Sequence, residues 1–325
     1  MRLHLVVNPT ASSVTPGVQA AIADALSVRH DVEVAETSSR GHAAALARDA
    51  AAAHAEAVVV LAGDGTLNEA AQGLAGTTTA LAPLPGGSTN VFARTLGIAY
   101  DPLDACAALL QSLDAGSTRR IGVGVADGGT GDRRFLFHLG VGFDAATVRE
   151  MEERHAHLKR HLAHPAFALA TVEAWLHGYD RATRIAVTPV GRDGTPLLDA
   201  RAVGPYAVVS NSDPYTYVGR RPVTIAPDAS LDRALALTVF RTLRVGVLVR
   251  AAASGITRAE YVASTPDIAQ VGDVWGVTMS SDTAFPWQVD GDHLGSTTEV
   301  TVRYEPDALT LVMPRTPRVR ARDRR

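Results

Sequence analysis

Leu61-Ala62-Gly63-Asp64-Gly65-Thr66-Leu67-Asn68-Glu69 runs from an apolar stretch into two glycines flanking an aspartate, with helix-forming residues directly after. Glycines let a backbone approach a phosphate closely, and the exposed N–H groups of a helix start attract its negative charge. An aspartate at that turn, Asp64, could hold a magnesium ion bridging phosphates, directly or through water. Thr66 and Glu69 have the spacing of a capping box, which predicts a helix with Thr66 as its N-cap. An ordinary tight strand-to-helix turn suits the same residues.

A second segment has the same texture: Pro83-Leu84-Pro85-Gly86-Gly87-Ser88-Thr89-Asn90-Val91-Phe92-Ala93-Arg94-Thr95-Leu96-Gly97-Ile98. A strand leads into glycines, then into capping hydroxyls and an amide, then into a short amphipathic helix. It reads equally as a polar connection with helix caps. A third, Trp287-Gln288-Val289-Asp290-Gly291-Asp292-His293, places two carboxylates around a glycine. In a regular strand Asp290 and Asp292 point to one side. Either could then act as the general base that takes a proton from an acceptor hydroxyl. A hairpin turn carrying two solvated acids fits as well. His155, His157, His161 and His164 also cluster, but Arg154, Lys159 and Arg160 beside them oppose a metal cation, so the stretch reads as a solvated basic helix.

These segments need a scaffold that brings them together. Over the first 120 residues, β-branched runs (Leu3–Val7, Val32–Ala35, Ala57–Ala62, Thr79–Leu84) alternate with helical stretches at Gly17–Arg29, at Gly41–His54 and from near Thr66 and Asn90. Such alternation predicts a parallel sheet covered on both faces, in which loops at the carboxyl ends of the strands share one crevice. After about Arg119 the texture changes to runs such as Arg120–Ala126, Arg134–Leu139, Ile185–Val190, Tyr206–Ser210, Ala234–Phe240 and Glu299–Arg303. Gly128–Asp132 and Gly191–Gly194 read as hairpin connections. The expectation is an antiparallel, sandwich-like second domain, interrupted by helical sequence from about Ala145 to Gly178.

Composition narrows the chemistry further. Of 31 basic residues the only lysine is Lys159, followed by Arg160 in a charged run. A Walker A loop needs Gly-Lys-Ser/Thr and a protein kinase needs a lysine on its third strand, so both designs are excluded. The lone Cys106 excludes an intrachain disulfide framework and fits a reducing cytosol. With 46% hydrophobic and 20% charged residues the chain has a soluble globular composition. No signal-peptide pattern opens it, and no apolar run approaches the roughly 20 residues that span a bilayer, so it is expected not to be integral to a membrane. Arg315–Arg325 carries six arginines and one aspartate; removing that +5 from the overall −3 leaves about −8 on the remainder. The tail reads as a disordered, solvated terminus.

Taken in order, the segments resemble the bacterial diacylglycerol kinase-like lipid kinase family, related to the sphingosine kinases. Asn8-Pro9 stands where that family has an Asn-Pro turn after its first strand. Thr37 ahead of Gly41, the Gly-Asp-Gly-Thr segment and the Pro-x-Gly-Ser/Thr-x-Asn-x-Phe-Ala-Arg-x-Leu-Gly-Ile segment follow. Gly140–Asp144, Ile225–Ala229 and Val289–Asp292 complete the match, which runs from about Leu3 to Pro314. The resemblance implies an α/β nucleotide-binding domain, doubly wound and similar to the phosphofructokinases and NAD kinases, followed by an antiparallel β-sandwich domain. The corresponding division is residues 1–120 for ATP, 121–314 for the lipid substrate and 315–325 for the basic tail.

The resemblance also implies ATP contacts at Thr37, Gly63, Asp64, Gly65, Thr66, Asn68, Gly87, Ser88 and Asn90, with Mg2+ at Asp64. It implies Asp292 as catalytic base with Asp290 beside it, in transfer of the γ-phosphoryl group to a lipid hydroxyl, by default that of diacylglycerol. A membrane lipid as substrate, peripheral contact with the inner membrane face from the cytoplasm, no nucleic-acid partner, and a monomer or homodimer follow in the same way. An NAD kinase and a catalytically impaired nucleotide- or lipid-binding protein are the alternatives. Four positions depart from the family pattern. Ala62 replaces a glycine, which is tolerable if its φ is negative. Val91 replaces a common aspartate. Asp292 replaces the usual glutamate, shortening the base by about 1.3–1.5 Å, worth about 100-fold in rate unless the backbone compensates. Asp232-Arg233-Ala234 replaces a sequence whose second acid holds a structural magnesium ion, so that site is expected to be missing or rebuilt. Arg94 is a candidate source of positive charge for the phosphates.

Overall fold

Ala57–Ala62 is buried at every position, the signature of a strand covered on both faces, and it lies inside a parallel sheet. In a computed structural model that describes residues 1–154, 171, 173–198, 202–257 and 259–315, four strands alternate with helices over the first 114 residues. They are β1 (Arg2–Val7), β2 (Asp31–Glu36), β3 (Ala57–Ala62) and β4 (Ala80–Pro85), in parallel order β4-β3-β1-β2. The intervening helices are α1 (Pro16–Ser27), α2 (His42–Ala52), α3 (Asp64–Leu74), α4 (Val91–Thr95) and α5 (Pro102–Asp114).

Strand residues of one parity face one helical layer and those of the other parity face its counterpart. Val6, Val58 and Val60 pack with Ala43, Ala47, Leu67 and Leu74 of α2 and α3. Leu3, Leu5, Val59 and Leu61 pack with Ile22, Leu26, Cys106 and Leu109 of α1 and α5. Each buried Val, Leu or Ile among them stabilises the fold by about 1.5–3 kcal/mol. The sheet's carboxyl edge, where β1, β3 and β4 end, is left for the loops.

The second half is antiparallel. Its strands are β5 (Thr118–Asp127), β6 (Arg133–Phe135), β7 (His138–Gly142), β8 (Ile185–Val190), β9 (Ala202–Gly204), β10 (Tyr206–Ser210), β11 (Thr216–Val218), β12 (Arg221–Val223), β13 (Leu235–Phe240), β14 (Ile268–Val274), β15 (Gly276–Val289) and β16 (Asp292–Val312). β15 pairs with β8 through Gly276–Ser280 and, after a register shift, with β7 through Trp287–Val289. It thereby connects two layers around a core that includes Val141, Val187, Val209, Leu237, Met279 and Trp287. The expected sandwich is present. Helical sequence interrupts it at α6 (Phe143–Arg154) and in a π-helical turn at Ala174–Gly178; α7 (Val245–Gly255) and α8 (Glu260–Ser264) add two helices unforeseen in the sequence. Gly128–Asp132 joins the antiparallel pair β5 and β6, and Gly191–Gly194 is closed by a bridge between Val190 and Pro196, so both stretches are hairpin connections.

The 21-residue strand β16 joins the halves. It pairs with β15, then with β5, and bridges β4 through Leu311 and Leu81. Ala308, Leu309 and Leu311 enter the apolar layer of α2 and α3. The single strand expected over Arg134–Leu139 is broken into β6 and β7. Across the break the N–H groups of Leu136, Phe137 and His138 all donate to the carboxylate of Asp290. The histidine cluster at 155–164 and the tail from 316 onward lie outside the described residues. No helix among those residues is long and apolar enough to cross a membrane.

Candidate active site

Both glycine loops leave the carboxyl edge of the sheet, and they touch. A Cβ on Gly87 would lie 2.8 Å from the Cα of Gly63, and one on Gly86 would lie 2.8 Å from the Cα of Ala62. Only a residue without a side chain fits at either point. Ala62 itself ends β3 and is not among the residues with positive φ, so its methyl group is accommodated. α3 begins at Asp64 with Gly63 as N-cap, three residues before the N-cap expected at Thr66. Thr66 is therefore inside the first turn, not a cap; its hydroxyl accepts from the Asn8 amide at 3.0 Å. Asn8 in turn accepts from the N–H and hydroxyl of Thr10, which braces the loop after β1 against the phosphate-type loop after β3.

Asp64 has a structural duty. Its Oδ2 accepts from the N–H of Val91 at 2.8 Å and its Oδ1 from that of Phe92 at 3.1 Å. The carboxylate thus caps α4 from another loop, satisfying donors that a helix start leaves open. Asn90, with φ +49°, accepts from the Gly87 N–H at 2.8 Å and donates to the Gly87 carbonyl at 2.7 Å. It shapes the second loop from within.

Opposite these loops stands the turn between β15 and β16. Val289 pairs with Asp292, and the two residues between, Asp290 and Gly291, both have positive φ, +48° and +82°. This is a two-residue hairpin of the Asp-Gly kind, so the alternation expected of a regular strand fails. The two acids separate. Asp290 turns inward, where its carboxylate accepts from the N–H groups of Leu136, Phe137 and His138 and from Asn68 Nδ2. Burial pushes its pKa up to about 7 against the pull of those four donors. Every partner donates, so no acceptor waits for a proton on Asp290, and its place is that of an anchor for the turn.

Asp292 faces the cleft, its side chain 21% exposed. Its Oδ1 lies 3.7 Å from where a Gly65 Cβ would be, directly across from the first glycine loop. Its Oδ2 is shared by two guanidinium groups, Arg40 Nη2 at 3.1 Å and Arg133 Nη2 at 3.3 Å. Between the loops and this turn lies a cleft of about 500 Å³. Gly63, Asp64, Gly65, Thr66, Gly87, Ser88 and Asn90 line it together with Asp290 and Asp292. Two expected residues are not among its walls. Thr37 follows β2 and donates its N–H to Val7. Asn68 is buried on α3, donating to Asp290 Oδ2 at 2.7 Å and to the Arg134 carbonyl. Arg94 is also elsewhere, stacked 3.6 Å over Tyr217 and donating to the Gly219 carbonyl. At the altered metal position Asp232 pairs with Arg119, and Arg233 with Asp273.

Sequence reasoning missed the inner wall, formed by Phe137, His138, Val148 and Tyr215. Tyr215 donates to Asp144 at 2.6 Å, and Gln288 donates to the other oxygen of Asp144 at 2.8 Å. The His138 ring lies tilted by 38° against Tyr215 with ring centroids 4.4 Å apart, and burial lowers its pKa to about 3, keeping the ring neutral. No local pattern marks these residues; they meet through the pairing of β7 with β10 and β15. Arg40 and Arg133 were missed for the same reason.

Known proteins are similar to parts of this chain in sequence and to its fold. Residues 2–132 match the family model of the diacylglycerol kinase catalytic domain. A "Probable lipid kinase YegS-like" of Chromohalobacter salexigens is 33% identical over 169 residues, which is 50% of this chain and 51% of that protein. One of the same description from Pseudomonas putida is 35% identical over 122 residues, 36% of this chain and 41% of its own length. The matched stretch thus spans about half or less of these relatives. Among solved structures, "a putative diacylglycerol kinase" from Bacillus anthracis superposes with TM-score 0.70 at 20% identity, covering 96% of this chain and 97% of its own. An NAD kinase from Archaeoglobus fulgidus in complex with ATP superposes with TM-score 0.53 at 12% identity, covering 97% and 94%. At such identities these two likenesses establish the fold.

Proposed function

We propose, from the match of residues 2–132 to the family model of the diacylglycerol kinase catalytic domain and from the similarity to probable lipid kinases, that this chain is a bacterial diacylglycerol kinase-like lipid kinase that transfers the γ-phosphoryl group of ATP to a lipid hydroxyl. Diacylglycerol, giving phosphatidic acid, is the acceptor we put first. Residues 1–120 supply the nucleotide side and residues 121–314 the lipid side. The enzyme works from the cytoplasm on the inner membrane face.

One observation carries this reading: Asp292 Oδ1 stands across the cleft from Gly65, on the far side of the glycine loops. Amides at the first turn of α3 and in the Gly87–Thr89 loop receive the phosphates, doing with backbone N–H groups what a lysine does in other kinases. The acceptor hydroxyl enters between the loops and Asp292, which takes its proton as the oxygen attacks phosphorus. Asp290 does not touch the reacting atoms; it holds the turn that aims its neighbour.

Magnesium fits this cleft as a companion of the ATP phosphates. Among the described residues no three carboxylate, histidine or cysteine groups gather into a cage. Asp64 lines the cleft as the carboxylate on the side of the glycine loops, accepting the N–H groups of Val91 and Phe92. Bound there, the ion would neutralise charge on the β- and γ-phosphate oxygens.

The test is an ATP-dependent phosphorylation assay with diacylglycerol, sphingoid and other long-chain lipids, and NAD as acceptors. Phosphorylation of a lipid, falling by about 10²–10⁴-fold in Asp292→Asn with the fold intact, is the expected result. Preference for NAD, or full activity in Asp292→Asn, contradicts the proposal.

A further inference from the structure

The cleft brings a polyphosphate an unusual problem. Its walls carry Asp64, Asp290 and Asp292, and among the described lining residues there is neither lysine nor arginine. His138 there is held neutral. Two cations, Arg40 and Arg133, share Asp292 Oδ2 across from the first glycine loop. Arg40 follows β2 just before α2, with its side chain 65% exposed; Arg133 opens β6 from the other half of the chain, 26% exposed. The Arg133 Nε–H is buried and finds no hydrogen-bond partner among the described residues. In a planar guanidinium Nε and Nη2 form one edge, suited to two oxygens at once. Here Nη2 takes Asp292 and its neighbour takes nothing, so that edge is half used. A buried unpaired donor beside a shared carboxylate calls for a second acceptor oxygen.

We propose that Arg40 and Arg133 are the phosphate clamp of this site, and that Asp292 Oδ2 holds their places for the γ-phosphate. The inference rests on the kinase reading above. When ATP enters, its terminal oxygens take over guanidinium donors that Asp292 shares, including the Arg133 Nε–H. Asp292 then accepts the acceptor hydroxyl proton on Oδ1. The acceptor oxygen forms its bond to the γ-phosphorus, the bond from that phosphorus to the β,γ-bridging oxygen breaks, and ADP departs with the electron pair. The guanidiniums neutralise the charge spread over the transferring group, and ADP, lacking that group, leaves them to Asp292. The two cations come from the two halves of the chain, so the clamp also ties the halves together when ATP is bound.

The full-length protein is tested with ATP and ADP separately, each with magnesium, by displacement of a fluorescent nucleotide. Arg40→Met and Arg133→Met are each expected to weaken ATP about 10-fold or more and ADP by less than about 2-fold, since a charged hydrogen bond is lost only to the γ-phosphate. Arg133→Lys, which keeps the charge and the fold but not the paired edge, is expected to fall between. Asp292→Asn removes the competing negative charge and is expected to bind ATP several-fold more tightly than the wild type. Equal losses for the two nucleotides, no loss for either, or weaker ATP binding in Asp292→Asn overturns the clamp. Wild-type protein that binds neither nucleotide overturns the kinase reading itself and the clamp with it.

Discussion

The side-chain amide of Asn68 donates to Oδ2 of Asp290 at 2.7 Å, although 222 residues separate them. This bond ties the helix behind the first glycine loop to the turn that carries Asp292. It also explains why Asn68, read as a nucleotide contact, is buried away from the cleft.

Removing Asp290 therefore tests the anchor. Asp290→Ala leaves three backbone N–H groups and one amide without their acceptor, and each buried unsatisfied donor costs about 1–3 kcal/mol. Some solvation of the vacated site offsets part of that, so a loss of about 3–5 kcal/mol in urea unfolding is expected. Asn68→Ala, which removes one of the four donors, is expected to cost about 1–2 kcal/mol. A loss below 1 kcal/mol for Asp290→Ala would mean that the turn is held by something else.

Two glycine-to-alanine changes should move stability in opposite directions. At Gly87 the added methyl meets the Gly63 backbone at 2.8 Å, and such overpacking costs about 1–3 kcal/mol. At Gly65 the methyl finds Asp292 Oδ1 at 3.7 Å, an ordinary contact, within a helix where alanine is better by about 0.8–1 kcal/mol. Gly65→Ala is thus expected to melt higher and turn over more slowly, because its methyl sits where the acceptor oxygen must approach. A thermal melt beside a rate measurement checks both halves; an active Gly65→Ala enzyme would remove Gly65 from the reaction path.

Asp64 distinguishes capping from ion binding. Asp64→Ala releases the N–H groups of Val91 and Phe92 and should cost about 1 kcal/mol, as loss of a helix cap does. If Asp64 also faces the ion on ATP, the magnesium concentration for half-maximal activity rises in Asp64→Asn, which keeps one capping oxygen. An unchanged magnesium requirement would leave the residue with its capping duty alone.

His138 makes a pH prediction. Burial lowers its pKa to about 3 in the folded chain, whereas the unfolded chain has an ordinary value near 6.5. The unfolded state therefore binds more protons between these values, and stability falls as pH drops through that window. Between pH 7 and pH 5 the histidine alone should remove about 2 kcal/mol. The difference between wild type and His138→Gln over that interval isolates this contribution from other groups; parallel curves would contradict it.

Much of the architecture was legible because it is local. Ile185–Val190 and Tyr206–Ser210 appear at their expected bounds, and the strands of the parallel sheet match within a residue or so; in β1, β3, β4 and β10 continuous burial imposes continuous apolar sequence. The glycine loops were visible for a related reason: close backbone approach excludes a side chain, and glycine is the record of that exclusion. What escaped was set by partners distant in the chain. Nothing within Arg134–Leu139 says that its amides will turn to a carboxylate some 150 residues on. Asp290 and Asp292 are the same residue type two positions apart, and only the positive φ at the turn sends one inward and the other outward. Arg40 and Arg133 carry no motif because their meeting point is a residue of neither neighbourhood.

The path of β16 has a consequence for how the chain matures. The outer edge of β4 and the apolar layer over α2 and α3 receive Ala308, Leu309 and Leu311, among the last described residues to leave the ribosome. The half with the glycine loops, synthesised first, must wait with an unpaired strand edge until about two hundred more amino acids have been added. Nascent chains arrested before residue 308 should accordingly be good clients for chaperones and easy prey for proteases, and the cleft becomes complete only when the final strand closes the seam.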